Sequence, residues 1–474
     1  MKLFTFKPGG VHPKENKLTN DKPFVRLKSP KIVVIPLSQH IGAPNTSLVK
    51  VGDHVKIGQV IGSAKAFVSA PVHSSVSGEV IAIEPRPYPL GTKVTSVVIK
   101  NDFKDEWIED IKKISSLEEI QPKDLVGIIR DKGIVGMGGA TFPTAVKLSP
   151  PKGKFIDTLI ANGAECESYL TTDYRTMLEF PDKIIDGLLI EIRITGAKHA
   201  FIAVENNKED AAELLEKRVK TRGLKNIEVV LVKTKYPQGG EKQLIKAVLG
   251  KEVPSGKLPL EVGAVVENVG TLKAIAEAVF EGKPLIERGT TVSGTAIKNP
   301  GNYIIRIGTT VEDIIDQTGG LTKKLRKLIF GGPMMGLAQS TVEVPAIKGT
   351  SGILFFGEEA LDMAPQDESP CIRCSRCVDS CPMGLMPVLI DHASRRNDLK
   401  LAESLNATDC IECGVCSYVC PAKRHLTENI RKAKQKILKQ RKIEAAKQAA
   451  FEKLKALREK QAKEAQEKSK KEAK

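Results

Sequence analysis

Between residues 30 and 100 the apolar positions come in short β-branched runs. Ile32-Val33-Val34-Ile35 is followed by runs at 49–51, 55–61, 78–83 and 95–100, each bounded by Gly, Pro or Asp. Runs of this length between turn residues predict strands, so the stretch reads as all-β. From 125 to 285 the pattern changes. Apolar runs at 155–161, 199–204 and 227–232 are continuous, as in strands buried on both faces. They alternate with helix-like segments at 208–221, 241–249 and 271–281, which predicts an α/β layer architecture. Short strands return at 290–295 and 303–307, with a helix at 311–318. Residues 341–365 read as a linker and 387–405 as a helix. From residue 426 onward the chain has strong helix formers, no Gly or Pro and few apolar positions.

The length, 474 residues, allows three or four domains. Residues 1–10 lack the apolar core of a secretion signal, and no apolar run is long enough to span a bilayer. The net charge of +16 is uneven: residues 426–474 hold 17 Lys/Arg and 7 Asp/Glu, and so +10 of it. The first reading of that tail is a solvated helix. Attraction to a membrane surface or an acidic partner comes second. Nucleic acid comes last, because no recognition motif accompanies the charge.

Eight of the nine cysteines change the picture most. Cys371, Cys374, Cys377 and Cys381-Pro382 repeat as Cys410, Cys413, Cys416 and Cys420-Pro421. The spacing resembles that of bacterial ferredoxins holding two [4Fe–4S] clusters, in which the fourth cysteine of each run serves the other cluster. That assigns Cys371, Cys374, Cys377 and Cys420 to one cluster, and Cys410, Cys413, Cys416 and Cys381 to the second. Each proline stops its loop from continuing as helix. Disulfides would suit a cysteine-dense secreted domain, and zinc two separated pairs. This usage fits a reducing compartment. Cys166, alone elsewhere, reads as structural.

A second chemical segment is glycine-rich: Gly133, Gly136, Gly138 and Gly139, then Ala140-Thr141-Phe142-Pro143 and Lys147. Close glycines let backbone N–H groups approach a phosphate, and a following helix adds its dipole. The segment is neither a GxGxxG fingerprint nor a Walker A loop, and alone it would be a tight turn. With its Lys it resembles the flavin loop of the NADH-binding flavoprotein subunit of respiratory complex I. Three further segments match in order: 162–167, Gly239-Gly240-Glu241, and 267–272. The resemblance implies flavin contacts at Gly136, Gly138, Gly139, Lys147, Asn162, Asn268 and Thr271. It implies acidic groups near the nicotinamide nucleotide at Glu241 and Glu167. Ala164, Gly163, Ser168 and Gly270 depart from that family's pattern. Without the resemblance, Glu165, Glu167 and Glu241 are capping or surface acids.

Residues 49–59 and 70–80 resemble the barrel sandwich of biotinyl and lipoyl carriers. Lys65 near the hairpin tip lacks a carrier's flanking residues, so the domain reads as structural. With the opening segment 6–13 and with 39–44, the order of parts is similar to the RnfC (RsxC) family, the C subunits of the Rnf electron-transport complex, over about residues 1–430. That implies a multidomain α/β and α+β chain. Its parts are an N-terminal domain with the barrel sandwich (1–120), an FMN/NADH-binding α/β domain (121–285), a β-grasp (SLBB) domain (286–340), the linker (341–365), a two-cluster ferredoxin module (366–425) and a basic helical tail (426–474). It also implies FMN, two [4Fe–4S] clusters and NAD(H) as substrate. The place implied is the cytoplasmic face of the bacterial inner membrane, as a peripheral subunit beside integral subunits and ferredoxin or another iron–sulfur subunit. No side-chain acid or nucleophile is expected to be catalytic. The competing readings are a stand-alone NADH dehydrogenase or ferredoxin reductase, and a carrier or adaptor whose flavin fold is vestigial.

Overall fold

A computed structural model of the chain describes residues 1–109, 113–361 and 367–472. The chain divides into two compact units, Met1–Pro365 and Gln366–Lys474.

In the first unit, the continuous apolar runs become a parallel sheet. Its strand order is Leu3–Phe4, Ile227–Val232, His199–Glu205, Thr158–Gly163, Ala264–Asn268. Both faces are covered, as their residue pattern requires. On one face the helices Pro181–Thr195 and Val269–Phe280 bury Ile184, Leu188, Leu272 and Ile275. Those two helices approach so closely that a Cβ on Gly187 would lie 2.1 Å from the Leu272 carbonyl oxygen. On the other face, Glu241–Leu249 seats Leu244, Ile245 and Val248 over Ile160, Ala203 and Val230. The strand expected at 155–161 starts at Thr158 instead, and Phe155 is exposed.

The β-branched runs of the N-terminal part form two small sheets. One runs in the order Ile32–Pro36, Thr92–Asn101, Gly78–Tyr88, His54–Val55; the other runs Thr46–Ser47, Val60–Ser63, Val72–His73. They enclose Val33, Ile35, Val55, Ile61, Val80, Val97 and Ile99. The run at 55–61 is two strands, because the chain turns at Gly58 with φ +82°. The run at 49–51 leads into a turn, with Val51 exposed.

The third sheet corrects one domain boundary. Its order is Leu337–Gln339, Lys327–Phe330, Gly352–Phe356, Glu287–Gly294, Gly301–Arg306, Phe24–Arg26. Residues 341–365, read as a linker, thus supply an interior strand. Gly352–Phe356 is buried throughout and paired on both sides. The N-terminal part also reaches beyond its own two sheets. Leu3–Phe4 extends the large parallel sheet and Phe24–Arg26 edges this one. The last residues of that linker, 362–365, lie outside the described residues, as do 110–112 of the N-terminal part and 473–474 of the tail.

In the second unit the segment 387–405 is two helices, Pro387–Arg395 and Leu399–Ser404. Asn397 between them takes φ +55°, and Asp398 caps the second by accepting from the Leu401 amide at 3.0 Å. The final helix, Leu426–Glu472, is not a mere appendage. Its Leu426, Ile430, Ala433 and Ile437 pack into the core of this unit against Ile390, Ala393 and Ala402.

Candidate functional site

In the large sheet, the strands Thr158–Gly163, His199–Glu205 and Ile227–Val232 progress in one direction, and Ala264–Asn268 lies on the opposite side of the first. The order therefore reverses between Thr158–Gly163 and Ala264–Asn268. A crevice beyond the C-terminal ends of such strands is where open α/β sheets bind ligands. Asn162 and Asn268 are a register pair at that point.

Four loops meet around this pair. Asn162 donates to the Gly239 carbonyl at 2.9 Å and accepts from the Ala164 amide at 3.1 Å. Asn268 caps the helix Val269–Phe280 by accepting from the Gly270 amide, and its Nδ2 donates to Asp173 at 2.8 Å. The Met137 amide donates to Thr271 Oγ1 at 2.8 Å, which pins the glycine loop to the same helix. Gly136 closes that loop through the Phe142 carbonyl. A Cβ on Gly138 would stand 3.4 Å from Asn268, whereas one on Gly139, at φ +121°, would meet nothing within 4 Å. A Cβ on Gly239 would lie 2.2 Å from the Ala164 carbonyl oxygen. The glycines thus let loop backbones close up around the crevice.

Lys147 follows the loop. Its ammonium pairs with Glu241 at 3.1 Å and Glu267 at 3.4 Å, and donates to the Val266 carbonyl. Burial works against its charge, but Glu267 and Glu241 outweigh it and raise the group, so Lys147 stays protonated. Glu267 and the fully buried Glu191 behind it are both raised, chiefly by burial. Glu241 stands at the first turn of its helix, where the helix dipole favours an acid.

Two acids of the 162–167 segment are committed to backbone. Glu167 accepts from the amides of Met334 and Met335 at 3.0 and 2.8 Å. Glu165 accepts from the amides of Asp173 and Tyr174. Lys17 donates to the carbonyls of Glu165, Glu167 and Leu170 at 2.7–2.9 Å. The resemblance placed Glu167 beside a nucleotide; in the structure it ties the 165–170 segment to the third sheet. Burial raises the Cys166 thiol, in keeping with a structural cysteine.

Sequence reasoning missed the charged groups behind the loop. Arg288, on the strand Glu287–Gly294, donates to the carbonyls of Met137 and Lys348, each at 2.7 Å. Burial lowers it to about 10, opposed by nearby Asp173. Lys348 in turn donates to the carbonyls of Pro71 and Gly133 at 2.7 Å, and burial lowers it to about 7. Nothing in the sequence distinguishes these residues from surface charges.

In the second unit the two cysteine runs share one backbone course. Arg373 and Ser375 take φ of +57° and +60°; their counterparts Glu412 and Gly414 take +57° and +79°. Short helices follow at Arg376–Asp379 and Val415–Tyr418. Amides turn toward sulfur: Arg373 to Cys371 at 3.4 Å, Glu412 to Cys410 at 3.3 Å, Leu385 to Cys381 at 3.4 Å. The thiols interact across the runs. Burial raises Cys377, and Cys420 and Cys371 add to this. Burial raises Cys410, Cys413 and Cys416, and Cys381 adds to each. Among the described residues, no three His, Cys, Asp or Glu side chains gather as a site for a single metal ion. Eight soft donors in two runs, with Cys420 near the first and Cys381 near the second, fit iron–sulfur clusters. The glycine-rich loop, the charged Lys147 and the helix N-terminus fit a phosphate-bearing flavin.

Comparison with known families agrees part by part. The Nuo51 FMN-binding domain matches residues 129–277, the RnfC barrel sandwich hybrid domain 4–104, the SLBB domain 290–338 and the 4Fe-4S dicluster domain 364–421. The C subunit of the proton-translocating ferredoxin:NAD(+) oxidoreductase complex of Clostridium ljungdahlii is 48% identical over 425 residues, covering 89% of this chain and 92% of that one. The chain belongs to this family of C subunits. The Na(+)-translocating counterpart of Acetobacterium woodii is also 48% identical, covering 92% of this chain and 98% of that one. The C subunit of the ion-translocating oxidoreductase complex of Rhodobacter capsulatus is 41% identical, covering 83% and 75%. A NAD+-reducing [NiFe]-hydrogenase structure aligns over 66% of this chain and 61% of its own at 20% identity, with a TM-score of 0.46, too slight a likeness to carry an argument. By its family, the chain is one component of an assembly of several subunits. It carries an FMN-binding domain and a dicluster domain, as expected from the glycine loop and the cysteine runs. Among the described residues, no helix is long and apolar enough to cross a membrane.

Proposed function

We propose that this chain passes electrons between NAD(H) and the rest of an ion-translocating complex, by way of FMN in the crevice and two [4Fe–4S] clusters in the second unit. The observation that carries the reading is the switch-point crevice at Asn162 and Asn268, on the same chain as eight thiols in two runs, with Cys420 near the first and Cys381 near the second. Bound FMN supplies the conversion of a two-electron hydride step into single electrons, which the clusters relay.

The chain's own groups bind and orient. Gly136, Gly138 and Gly139 bring backbone against the flavin, and Lys147 presents a held positive charge beside it. Thr271 and Asn268 fix the loop and the helix N-terminus facing it. Asn162 holds the opposite wall through Gly239. Glu241, half-exposed at the crevice edge, is the acid best placed for the nicotinamide nucleotide. Cys371, Cys374, Cys377 and Cys420 hold one cluster; Cys410, Cys413, Cys416 and Cys381 hold the second. The chain sits on the cytoplasmic face of the bacterial inner membrane, held by integral subunits, with ferredoxin or another iron–sulfur subunit as its electron partner.

Anaerobic purification tests the reading. One flavin and about eight iron per chain are expected for two four-iron clusters. Recovery of the iron without flavin, from protein kept reduced throughout, would leave only the carrier reading. Capture of membrane subunits by the tagged chain separates the complex from a stand-alone dehydrogenase.

A further inference from the structure

The two cysteine runs match in spacing and backbone course, so each is a control for the other. Their surroundings differ sharply. In the second run, Cys413, Val415 and Cys416 are buried. Glu412 accepts from Arg431 at 2.6 Å and pairs with Lys434 at 3.1 Å, and Lys434 also donates to the Cys410 carbonyl at 2.7 Å. The first turns of the helix Leu426–Glu472 therefore seal this loop.

Among the described residues, the first run has no such cover. Ile372, Arg373, Cys374, Ser375 and Arg376 are all exposed, Ile372 by 66%. Where the sealed loop has Glu412 and Val415, this one has Arg373 and Arg376. Neither arginine has an ion-pair partner among the described residues. The Ser369 amide donates to the Ala422 carbonyl at 3.0 Å, which brings the segment after Cys420 alongside, with Pro421 and Lys423 exposed. The acid nearest in sequence before the run, Glu368, is taken up by Arg395 and the His425 amide. Among the described residues, Asp367 and Asp379 are the other acids nearest this run in sequence. An exposed apolar residue beside two unpaired arginines, with a cysteine sulfur at the surface, is complementary in charge to an acidic protein partner.

We propose that the loop Cys371–Cys377 is the docking face for an acidic electron-carrier protein, and that the cluster held there exchanges electrons with it. This rests on the cluster assignment above. One electron crosses per encounter: the carrier loses or gains it, the cluster does the reverse, and no bond or proton changes hands. The sealed cluster of Cys410, Cys413, Cys416 and Cys381 is then the internal one. Electron transfer weakens steeply with distance, so the exposed cysteine run gives the short path out.

The test uses the full chain, purified anaerobically, with a reduced acidic bacterial ferredoxin as probe in stopped flow. The second-order rate of cluster reduction should fall steeply as salt rises from low to high ionic strength. Arg373→Glu/Arg376→Glu should lower the low-salt rate by about tenfold or more and flatten the salt dependence, as loss of electrostatic steering does. Lys400→Glu/Lys439→Glu, reversing two exposed charges elsewhere on the unit, should leave both near wild type. Flavin bleaching by NADH and the iron content should be unchanged in both. A wild-type rate indifferent to salt, or equal losses in the two double variants, would overturn the proposal. So would loss of binding to phosphatidylglycerol vesicles with the carrier rate intact, which would assign the face to lipid. Wild-type protein lacking one cluster would instead overturn the ligand assignment on which it rests.

Discussion

Arg288→Met removes a guanidinium that joins the third sheet to the glycine loop. The residue is 4% exposed and donates to two carbonyls, Met137 and Lys348, at 2.7 Å each. A buried acceptor left unpaired costs about 1–3 kcal/mol, so the two together cost roughly 2–6 kcal/mol. Part of this is offset, because burying an ion is itself costly. The net loss is therefore below that sum, of the order of 2 kcal/mol. The loss falls on the Met137 carbonyl, within the loop whose amide Thr271 holds. Asp173, already raised to about 7 chiefly by burial and next by Glu165, loses a favourable charge and rises further. Flavin affinity should therefore drop by at least tenfold, equivalent to about 1.4 kcal/mol. Arg288→Lys should not restore it, since a single ammonium lacks the planar fork that spans both carbonyls. The assay pairs the apparent unfolding midpoint of flavin-free protein with flavin retention after anaerobic gel filtration. A midpoint and a flavin occupancy both equal to wild type in Arg288→Met would refute the reasoning.

Three further outcomes are expected. Burial, then Lys348, lowers His73 to about 3 from 6.5. The unfolded chain therefore takes up this proton first as pH falls, and stability drops from pH 6.5 toward 3, by at most roughly 5 kcal/mol; His73→Gln should lose less stability than wild type between pH 7 and 5 in thermal melts. Lys147→Met leaves Glu241, Glu267 and Glu191 without their cation and should destabilise by about 3–5 kcal/mol, with flavin lost on desalting. Cys381→Ala should damage the cluster of the Cys410–Cys416 loop, and Cys420→Ala that of the Cys371–Cys377 loop, each visible as loss of one EPR signal with the other retained.

The parallel strands were legible because continuous apolar runs have one stable home, between two layers. The two short strands that tie the N-terminus into neighbouring sheets were not, because Leu3–Phe4 and Phe24–Arg26 are too short to show a period. Gly352–Phe356 is apolar enough to read as a strand, but it follows a long irregular segment, and its partners lie far away in sequence. At the site, the cysteine runs and the glycine loop are local patterns and were readable. Arg288, Lys348, Lys17 and Glu191 were not: their roles come from burial, which a single charged letter does not announce. Glu167 was read by analogy with a nucleotide site, yet it holds two backbone amides of the 334–335 turn. The two relatives at 48% identity carry different ions in their names, proton and Na(+), so overall likeness in this subunit does not track the coupling ion.

An anaerobic NADH titration of the purified chain, followed by visible absorbance and then by EPR on the frozen sample, tests the central claim most directly. The flavin band should bleach, and signals from two interacting [4Fe–4S] clusters should grow with it. A flavin that bleaches while both clusters stay oxidised, at a poise where dithionite reduces them, would contradict the account.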